Sequence, residues 1–302
     1  MSSRALRRRC GAVAAGLLGD RVAGEPPAAL HPVAAFGTAM GRVEHAVYDD
    51  TIAAGARYAL TGIAIGAIAG TIARSTALAV SVAVAGRALR ATALDVHDAL
   101  ERRDLGQARS LLPALVGRDP SELDESGVAA AVIESVAENS VDAVIAPSLW
   151  AVGAGAPGAL GYRAVNTMDA MVGHRSERYT RFGAWSARAD DIANWIPARL
   201  TVLLVLAARP RRASSIWRAV RADAPAHPSP NAGVAEAAFA GALGLQLGGP
   251  LRYGERFEQR PLLGTGPRPR RADITRAVRL ASDVELLLAG ALGAVACSGR
   301  TP

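Results

Sequence analysis

Lysine is absent from this chain of 302 residues, so each of its 34 basic residues is an arginine. Without lysine the chain cannot form a side-chain Schiff base, and it cannot supply the lysine of a P-loop. Cysteine is almost as scarce, because Cys10 and Cys297 stand alone near opposite ends. This spacing excludes a CxxC metal site and a disulfide framework. The motifs HExxH and GxSxG are also absent, which excludes the two enzyme classes that they mark.

Small and medium apolar residues are abundant instead. Half of the chain is hydrophobic but only 4% is aromatic, and the mean hydropathy is +0.18. The apolar content is therefore mainly alanine, valine and leucine, which suits closely packed helices. We find no run of alternating β-branched residues, so the sequence predicts an all-α fold.

Four stretches have membrane character and predict a multi-pass α-helical integral membrane protein with polar helical connections. The first, 57–74, carries Gly62, Gly66 and Gly70, a spacing that lets membrane helices approach closely. It resumes over 75–86, either as one long helix or as a hairpin. The others are 143–162, 192–208 and 286–299. The run 143–162 is uncharged and has about the 20 residues that a bilayer demands. A soluble protein with buried core helices is the alternative.

The organisation that we predict is a single membrane-embedded helical domain over 1–302. It contains a polar helical insertion over 87–126 and a surface loop over 248–271. Arginine clusters beside the apolar runs indicate cytoplasmic loops under the positive-inside rule. The apolar run 10–19 follows Arg7–Arg9 and favours a membrane anchor or re-entrant segment over a signal peptide. The net charge is +7, but the arginines do not interleave with aromatics, which argues against nucleic acid.

Glu134, Glu138 and Asp142 are spaced by four, so they share one face of a helix, with Asn139 beside them. Carboxylates at this spacing repel each other, and an adjacent apolar run increases the cost. A divalent cation would neutralise the column, and Mg²⁺ prefers such oxygen ligands. A solvated helix face is the alternative interpretation.

Two further acidic and amide groups adjoin the apolar runs. Asn166 and Asp169 follow 143–162, and Asp190, Asp191 and Asn194 precede or enter 192–208. Ionisable residues at such positions are costly and usually functional. Three groups at helical spacing therefore predict one shared site for magnesium and phosphate.

Arginine and histidine residues lie between these groups. His174 is followed by Arg175, Arg178 and Arg188, which are suitable donors for phosphate. Further along, the run HPSPN over 227–231 opens another apolar helix. Its free N–H groups could receive an anion, although simple helix capping by serine or asparagine explains the pattern equally well.

Four runs of the sequence resemble one known family. They are "GDRVAGEPPAALHPVAAFG" (19–37), "SVAENSVDAVIAPSLWA" (135–151), "YRAVNTMDAMVGHRSERYTRFGAWSARADDIANWIPARLT" (162–201) and "HPSPNAGVAEAAFAGALGLQLGGPLRYG" (227–254). They are similar to the CobD/CbiB family of cobalamin biosynthesis, over most of the chain except 87–126. The resemblance implies a multi-pass enzyme of the cell membrane with a cytoplasm-facing site. It implies ATP-dependent amide formation with Mg²⁺, joining aminopropanol or its O-phosphate to a propionate of adenosylcobyric acid.

The resemblance also implies roles for individual residues and a set of partners. The implied metal ligands are Glu138, Asp142, Asn166, Asp169, Asp190 and Asp191. The catalytic candidates are Glu138, Asn139, Asp169, Asp191 and Asn194. The phosphate-binding and substrate-binding candidates are His174, Arg175, Arg178, Arg188, His227 and Asn231. The implied partners are the corrinoid, the amine, membrane lipid and other membrane enzymes of cobalamin assembly, with no nucleic acid.

Two other functions fit parts of the sequence. An intramembrane prenyltransferase would use carboxylates to hold magnesium diphosphate, and "DDIAN" (190–194) suits it, but a second motif of DxxxD type is missing. A transporter or non-enzymatic partner would line a passage with the same polar residues. Inverted repeats favour transport, and we find none.

Overall fold

The computed structural model describes residues 2–25, 31–117, 119–174, 176–253 and 256–298, with the backbone alone for 251–253 and 256–258. Helices dominate these residues, which confirms the predicted all-α fold. The helices are α1 (Ser3–Ala23), α2 (Pro32–Val47), α3 (Ile52–Ala73), α4 (Thr76–Ala83), α5 (Gly86–Glu101), α6 (Leu105–Leu111), α7 (Glu125–Ser140), α8 (Ala146–Ala154), α9 (Ala156–Met168), α10 (Ala184–Ala208), α11 (Ala213–Ala222), α12 (Ala232–Leu243) and α13 (Arg271–Cys297). Two strands, β1 (Leu247–Tyr253) and β2 (Arg256–Leu263), lie between α12 and α13.

Shorter turns connect several of these helices. Three are 3₁₀ turns, at Leu112–Ala114, Pro210–Arg212 and Ala224–Ala226. Two are π turns, at Val141–Ile145 and Asp169–Gly173. A π turn has i→i+5 hydrogen bonds and therefore shifts the side chains that follow it relative to a regular helix. Both π turns begin at or beside a predicted site residue.

The chain forms two compact units, which are described separately here. The first comprises Met1–Ala85, Asp142–Pro197 and Leu288–Pro302, and the second comprises Gly86–Val141 and Ala198–Leu287. Each unit is assembled from segments that are distant in sequence. For this reason no change of composition along the chain marks a boundary, and the predicted single domain takes in both units.

Among the described residues, four segments are long and apolar enough to cross a membrane, and they make this a helical membrane protein. They are Ile52–Ala73, Thr76–Glu101, Ala184–Ala208 and Arg271–Cys297. Between the first two, Arg74 has a left-handed backbone and Ser75 caps α4, so the apolar residues on either side form separate helices. The second segment is itself interrupted at Val84 and Ala85, where the Ala85 N–H donates to the Ala143 carbonyl at 3.0 Å.

The uncharged run 143–162 is not one of these spans, so this part of the sequence prediction needs correction. Gly155 adopts a φ of +70° and ends α8 after nine residues, and α9 then runs for 13. Glycine allows this backbone because it has no Cβ. Neither helix alone has the length of about 20 residues that a membrane crossing requires.

A seam of glycines joins α3 to α9 in the first unit. A Cβ on Gly66 would lie 2.6 Å from the Leu160 carbonyl oxygen and 2.7 Å from the Ala164 Cβ, and the same crowding occurs at Gly62 and Gly70. The predicted small-residue pattern therefore serves close helix packing. Large apolar side chains of α3 point elsewhere and are exposed: Leu60, Ile68 and Ile72.

The second unit contains an antiparallel hairpin of β1 and β2, with Gly249 opposite Arg260. The sequence predicts a surface loop over 248–271, but Leu247 and Leu263 at the base of the hairpin are fully buried. The predicted polar insertion over 87–126 begins inside the candidate span Thr76–Glu101, and α5 and α6 form a helical hairpin in this region. One face of α5 is buried, so this hairpin is packed rather than fully solvated.

Candidate functional site

Asn166 links two carboxylates that come from separate segments of the first unit. Its Nδ2 donates to Asp142 Oδ2 and to Asp190 Oδ1, each at 3.3 Å. Asp142 lies in the first π turn, Asn166 on α9 and Asp190 on α10. The structure thus brings together one predicted residue from each of three polar groups. All three side chains are half-buried.

The network continues from Asp190 and from Asn166. Asn194 Nδ2 donates to Asp190 Oδ2 at 2.9 Å, and the Tyr162 hydroxyl donates to Asn194 Oδ1 at 2.8 Å. On the other side, Arg163 Nη1 donates to Asn166 Oδ1 at 3.2 Å. The sequence analysis missed Tyr162 and Arg163. Their spacing of four and three residues from Asn166 on a helix is the signal that indicates them.

This set of donors fits a magnesium ion that also binds phosphate. Within the described ranges, no three or more His, Cys, Asp or Glu side chains are grouped closely enough to hold a metal by themselves. Magnesium, however, usually takes only one or two protein carboxylates and completes its shell with water and phosphate oxygens. Asp142 and Asp190 provide two such carboxylates. In the described part of the chain, the buried Arg163 Nε has no hydrogen-bond partner, which suits an anionic ligand.

The N-terminal segment contributes a further charged group near Arg163. Glu25 lies in the connection after α1, and its Oε2 is 3.5 Å from His31 Nε2. Burial raises the pKa of Glu25 above its ordinary value, and the positive charges of His31 and Arg163 partly offset this. The electrostatic coupling of Glu25 to Arg163 places this segment beside the polar network of the first unit.

Helix α10 is fixed next to Asn194 by an unusual backbone contact. Pro197 lies inside α10 and has no N–H, so the Ala193 carbonyl four residues earlier lacks its helical donor. The indole Nε1 of Trp150 on α8 donates to that carbonyl at 3.1 Å. This hydrogen bond connects α8 to α10 one residue before Asn194.

The surroundings of Asp169 and Asp191 differ from those of Asp142 and Asp190. Asp169 begins the second π turn, and its carboxylate occupies the space that a Cβ on Gly173 would need. Asp191 is exposed on α10. It follows Asp190 directly, so the helix turns its side chain about 100° away, since 3.6 residues make one turn. The structure gives neither carboxylate a hydrogen bond to Asn166.

The acidic residues that were predicted to share one helix face differ in how deeply they are buried. Glu134 is buried and its Oε1 accepts the Gly248 N–H at 2.8 Å, whereas Glu138 is exposed. Asn139 donates to the Ser135 carbonyl at 3.0 Å. These residues lie on α7 in the second unit. Helix α7 ends at Ser140, before the π turn that carries Asp142.

The predicted phosphate donors are spread over an exposed stretch of the first unit. Arg178 donates through Nη2 to Glu44 Oε1 at 3.1 Å, and its guanidinium stacks 4.0 Å from the centre of the Tyr48 ring. His174 is exposed and meets the edge of the Tyr179 ring. Arg188 is exposed. Arg175 lies outside the described residues.

His227 and Asn231 belong to a buried polar cluster in the second unit. Arg199 Nη1 donates to Asn231 Oδ1 at 2.7 Å, and Arg260 Nη1 lies 2.8 Å from His227 Nε2. The buried carboxylate of Glu236 is 3.7 Å from the same Nε2. Arg199, Arg260 and Glu236 are residues that the sequence analysis did not select, because their partners are distant in sequence.

Both ring nitrogens of His227 have polar neighbours. Nε2 lies 2.8 Å from Arg260 Nη1, and Nδ1 lies 3.1 Å from both the Ser229 backbone nitrogen and the Ser229 carbonyl oxygen. Ser229 Oγ accepts the Ala232 N–H at 3.1 Å and caps α12. The Asn231 side chain does not cap this helix. Of the two residue types that the sequence suggests as caps, the structure therefore uses serine.

Known proteins match almost the whole chain. The profile of the family described as CobD/Cbib protein matches residues 13–281. The cobalamin biosynthesis protein CobD of Mycobacterium tuberculosis is 47% identical over 284 residues, 89% of this chain and 90% of the relative. That of Chromobacterium violaceum is 46% identical over 283 residues, covering 87% and 89%. That of Rhodobacter capsulatus is 52% identical over 178 residues, covering 59% and 56%. No solved structure matches.

Proposed function

The chain belongs to the CobD/CbiB family of cobalamin biosynthesis, and from this membership we propose that it is an ATP-dependent ligase. It joins aminopropanol or its O-phosphate to the propionate carboxylate of adenosylcobyric acid. The product is adenosylcobinamide or its phosphate. At the level of single residues, the proposal depends on the hydrogen bonds that Asn166 donates to both Asp142 and Asp190.

The proposed reaction has two steps. A carboxylate oxygen of the corrinoid attacks the γ-phosphorus of ATP, which forms an acyl phosphate and releases ADP. The amine nitrogen then attacks the acyl carbon, phosphate leaves with the C–O bond electrons, and the nitrogen loses one proton. Such a site must neutralise the phosphate charge and hold three substrates in line.

The polar network of the first unit supports this chemistry. Asp142 and Asp190 are the residues that we propose to hold Mg²⁺, which neutralises negative charge on the ATP phosphates when bound. Asn166 keeps the two carboxylates in place, and Asn194 orients Asp190 through its 2.9 Å hydrogen bond. Arg163 has a buried, unused N–H that suits a phosphate or carboxylate oxygen.

The remaining candidates keep their proposed roles. Glu138, Asn139, Asp169 and Asp191 are proposed catalytic residues or ligands on the strength of the family motifs. His174, Arg175 and Arg188 are proposed to bind phosphate, and so is Arg178, which would have to exchange Glu44 for the ligand. His227 and Asn231 are proposed to lie near the substrate.

The proposed location is the cell membrane, with the site facing the cytoplasm. Arginines follow the span Ala184–Ala208 and the span Thr76–Glu101, which is the arrangement of cytoplasmic loops. ATP is supplied from the same side. Membrane lipid is therefore a partner, and the other membrane enzymes that assemble cobalamin are proposed neighbours.

A direct assay tests the proposed ligation. The full chain is purified in detergent and incubated with ATP, Mg²⁺, adenosylcobyric acid and either aminopropanol or its O-phosphate. Mass spectrometry should detect the amide with one amine or both, and ADP should form in equal amount. The absence of both products, under conditions where a CobD relative turns over, contradicts the proposal.

Variants then connect the activity to the network. Asp190→Asn should lower kcat/KM by at least 100-fold, the scale on which the loss of a charge-stabilising group acts. Asp95→Asn is the matched control, because Asp95 is exposed on α5 and undergoes the same chemical change. Equal activity of the two variants would remove Asp190 from the site.

A further inference from the structure

The segment that follows the span Ala184–Ala208 is strongly basic. Residues 209–222 read "RPRRASSIWRAVRA" and contain Arg209, Arg211, Arg212, Arg218 and Arg221 but no acidic residue. Four residues, 209–212, separate the end of α10 from the start of α11, so five Cα–Cα steps join the two helices. A linker of this length reaches no more than about 18 Å. Helix α11 therefore starts close to the point where the chain leaves the membrane.

Helix α11 has two distinct faces. Ile216 and Ala219 are buried, and the backbone of Ile216 lies so close to Gly241 on α12 that a Cβ there would be 2.6 Å from the Ile216 Cα. The opposite face exposes 51% of Trp217. The packed face therefore holds α11 on α12, and the exposed face has a large apolar ring available for another contact.

The exposed face of α11 carries positive charge that the described protein does not neutralise. Arg209 pairs with Asp283 at 2.8 Å. The exposed Arg211, Arg212, Arg218 and Arg221 form no ion pair with any residue in the described ranges. The Arg221 guanidinium lies 5.8 Å from the centre of the Trp217 ring. Arg218 and Arg221 lie on α11, whereas Arg211 and Arg212 lie in the turn just before it. Four like charges in one short segment repel each other and attract an anionic surface.

We propose that this face of α11 lies in the headgroup layer and binds anionic phospholipid. Tryptophan is favoured at the boundary between headgroups and acyl chains, where its ring is apolar and its N–H reaches water. Arginines on the same face meet the phosphates of the leaflet. An acidic soluble protein would satisfy the charges, but the position directly after a membrane span favours lipid. This inference depends on membrane insertion and is independent of the proposed ligation.

The test uses the full chain in nanodiscs of phosphatidylcholine and phosphatidylglycerol. Bromine is placed on the acyl chains of one lipid at a time, at equal mole fraction, because bromine quenches nearby tryptophan fluorescence. The chain has four tryptophans, so the signal of Trp217 is taken as the difference between wild type and Trp217→Phe. We expect brominated phosphatidylglycerol to quench this signal more strongly than brominated phosphatidylcholine.

Arginine variants identify the source of the preference. Each arginine near an anionic surface favours binding by about fivefold, so Arg218→Gln with Arg221→Gln should lower the lipid preference by up to about thirtyfold. The matched control is Arg102→Gln with Arg103→Gln, which removes two exposed charges after α5 and should leave the Trp217 signal unchanged. If the α11 variant does not fold, high salt applied to wild type should abolish the preference, because it screens exposed charges.

Two results would overturn the proposal. Equal quenching by both lipids would mean that α11 meets the membrane without recognising its charge. No quenching by either lipid would mean that Trp217 faces water, which would favour a soluble acidic partner.

Discussion

Asn166→Ala should uncouple the two carboxylates that meet at the site. The wild-type amide donates to Asp142 and Asp190, so its removal leaves both carboxylates without that donor while their charges remain. Hydrogen bonds to charged groups contribute about 1.5–3 kcal/mol each when desolvated. All three side chains are half-buried and keep part of their hydration. We therefore expect a loss of about 2–3 kcal/mol in the free energy of unfolding for both bonds together.

A double-mutant cycle isolates the hydrogen bond to Asp190 from general damage. Asn166→Ala, Asp190→Ala and the double variant are compared by thermal unfolding in detergent. The loss in the double variant should be smaller than the sum of the single losses by about 1–1.5 kcal/mol.

The control cycle combines Asn166→Ala with Asp95→Ala, because Asp95 is exposed on α5. Distant sites add within about 0.3–0.5 kcal/mol. If the Asn166 and Asp190 changes also add within that range, then Asn166 does not hold Asp190 in place and the reasoning about the network is wrong.

Three further predictions concern other parts of the chain. Gly66→Leu should lower the melting temperature by more than 5 °C, whereas Gly41→Ala, which meets no atom within 4 Å, should leave it unchanged. Glu25→Gln should stabilise the chain at neutral pH in thermal melts. Because folding raises the pKa of this carboxyl, its contribution to stability is complete below the pKa of the unfolded chain and is lost as pH rises through the folded pKa. The variant should therefore also flatten the pH dependence of stability across that range. Arg90→Ala should cost about 3–5 kcal/mol in unfolding free energy because Glu285 is left buried and charged, and adding Glu285→Leu should recover most of that loss.

The sequence predicts much of the fold because membrane helices leave strong periodic signals. The glycines at 62, 66 and 70 predict a close helix contact without indicating the partner, and the structure shows α9 opposite them. The polar groups around Asp142, Asn166 and Asp190 are recognisable because carboxyl and amide groups beside apolar runs are costly. Their adjoining positions predict that they meet, and the structure brings these three residues within hydrogen-bonding distance.

Other features have no local signal in the sequence. The π turn at Val141–Ile145 separates Asp142 from α7, and i→i+5 bonding follows no residue pattern that we can read. Gly248, Gly249 and Pro250 predict turns, and the sequence does not indicate that buried leucines fix the base of a β-hairpin there. The contact of Arg178 with Glu44 has no sequence signal either, because the two residues lie 134 positions apart.

The proline of α10 makes two distant positions depend on each other. The Trp150 indole fills the place of the amide that Pro197 does not have. An alanine at 197 would restore the helix's own donor, and the carbonyl oxygen could then accept from both groups because it has two lone pairs. A phenylalanine at 150, with proline kept at 197, would leave the Ala193 carbonyl without either donor. A homologue that has lost the tryptophan should therefore also have lost the proline, whereas loss of the proline alone is tolerated.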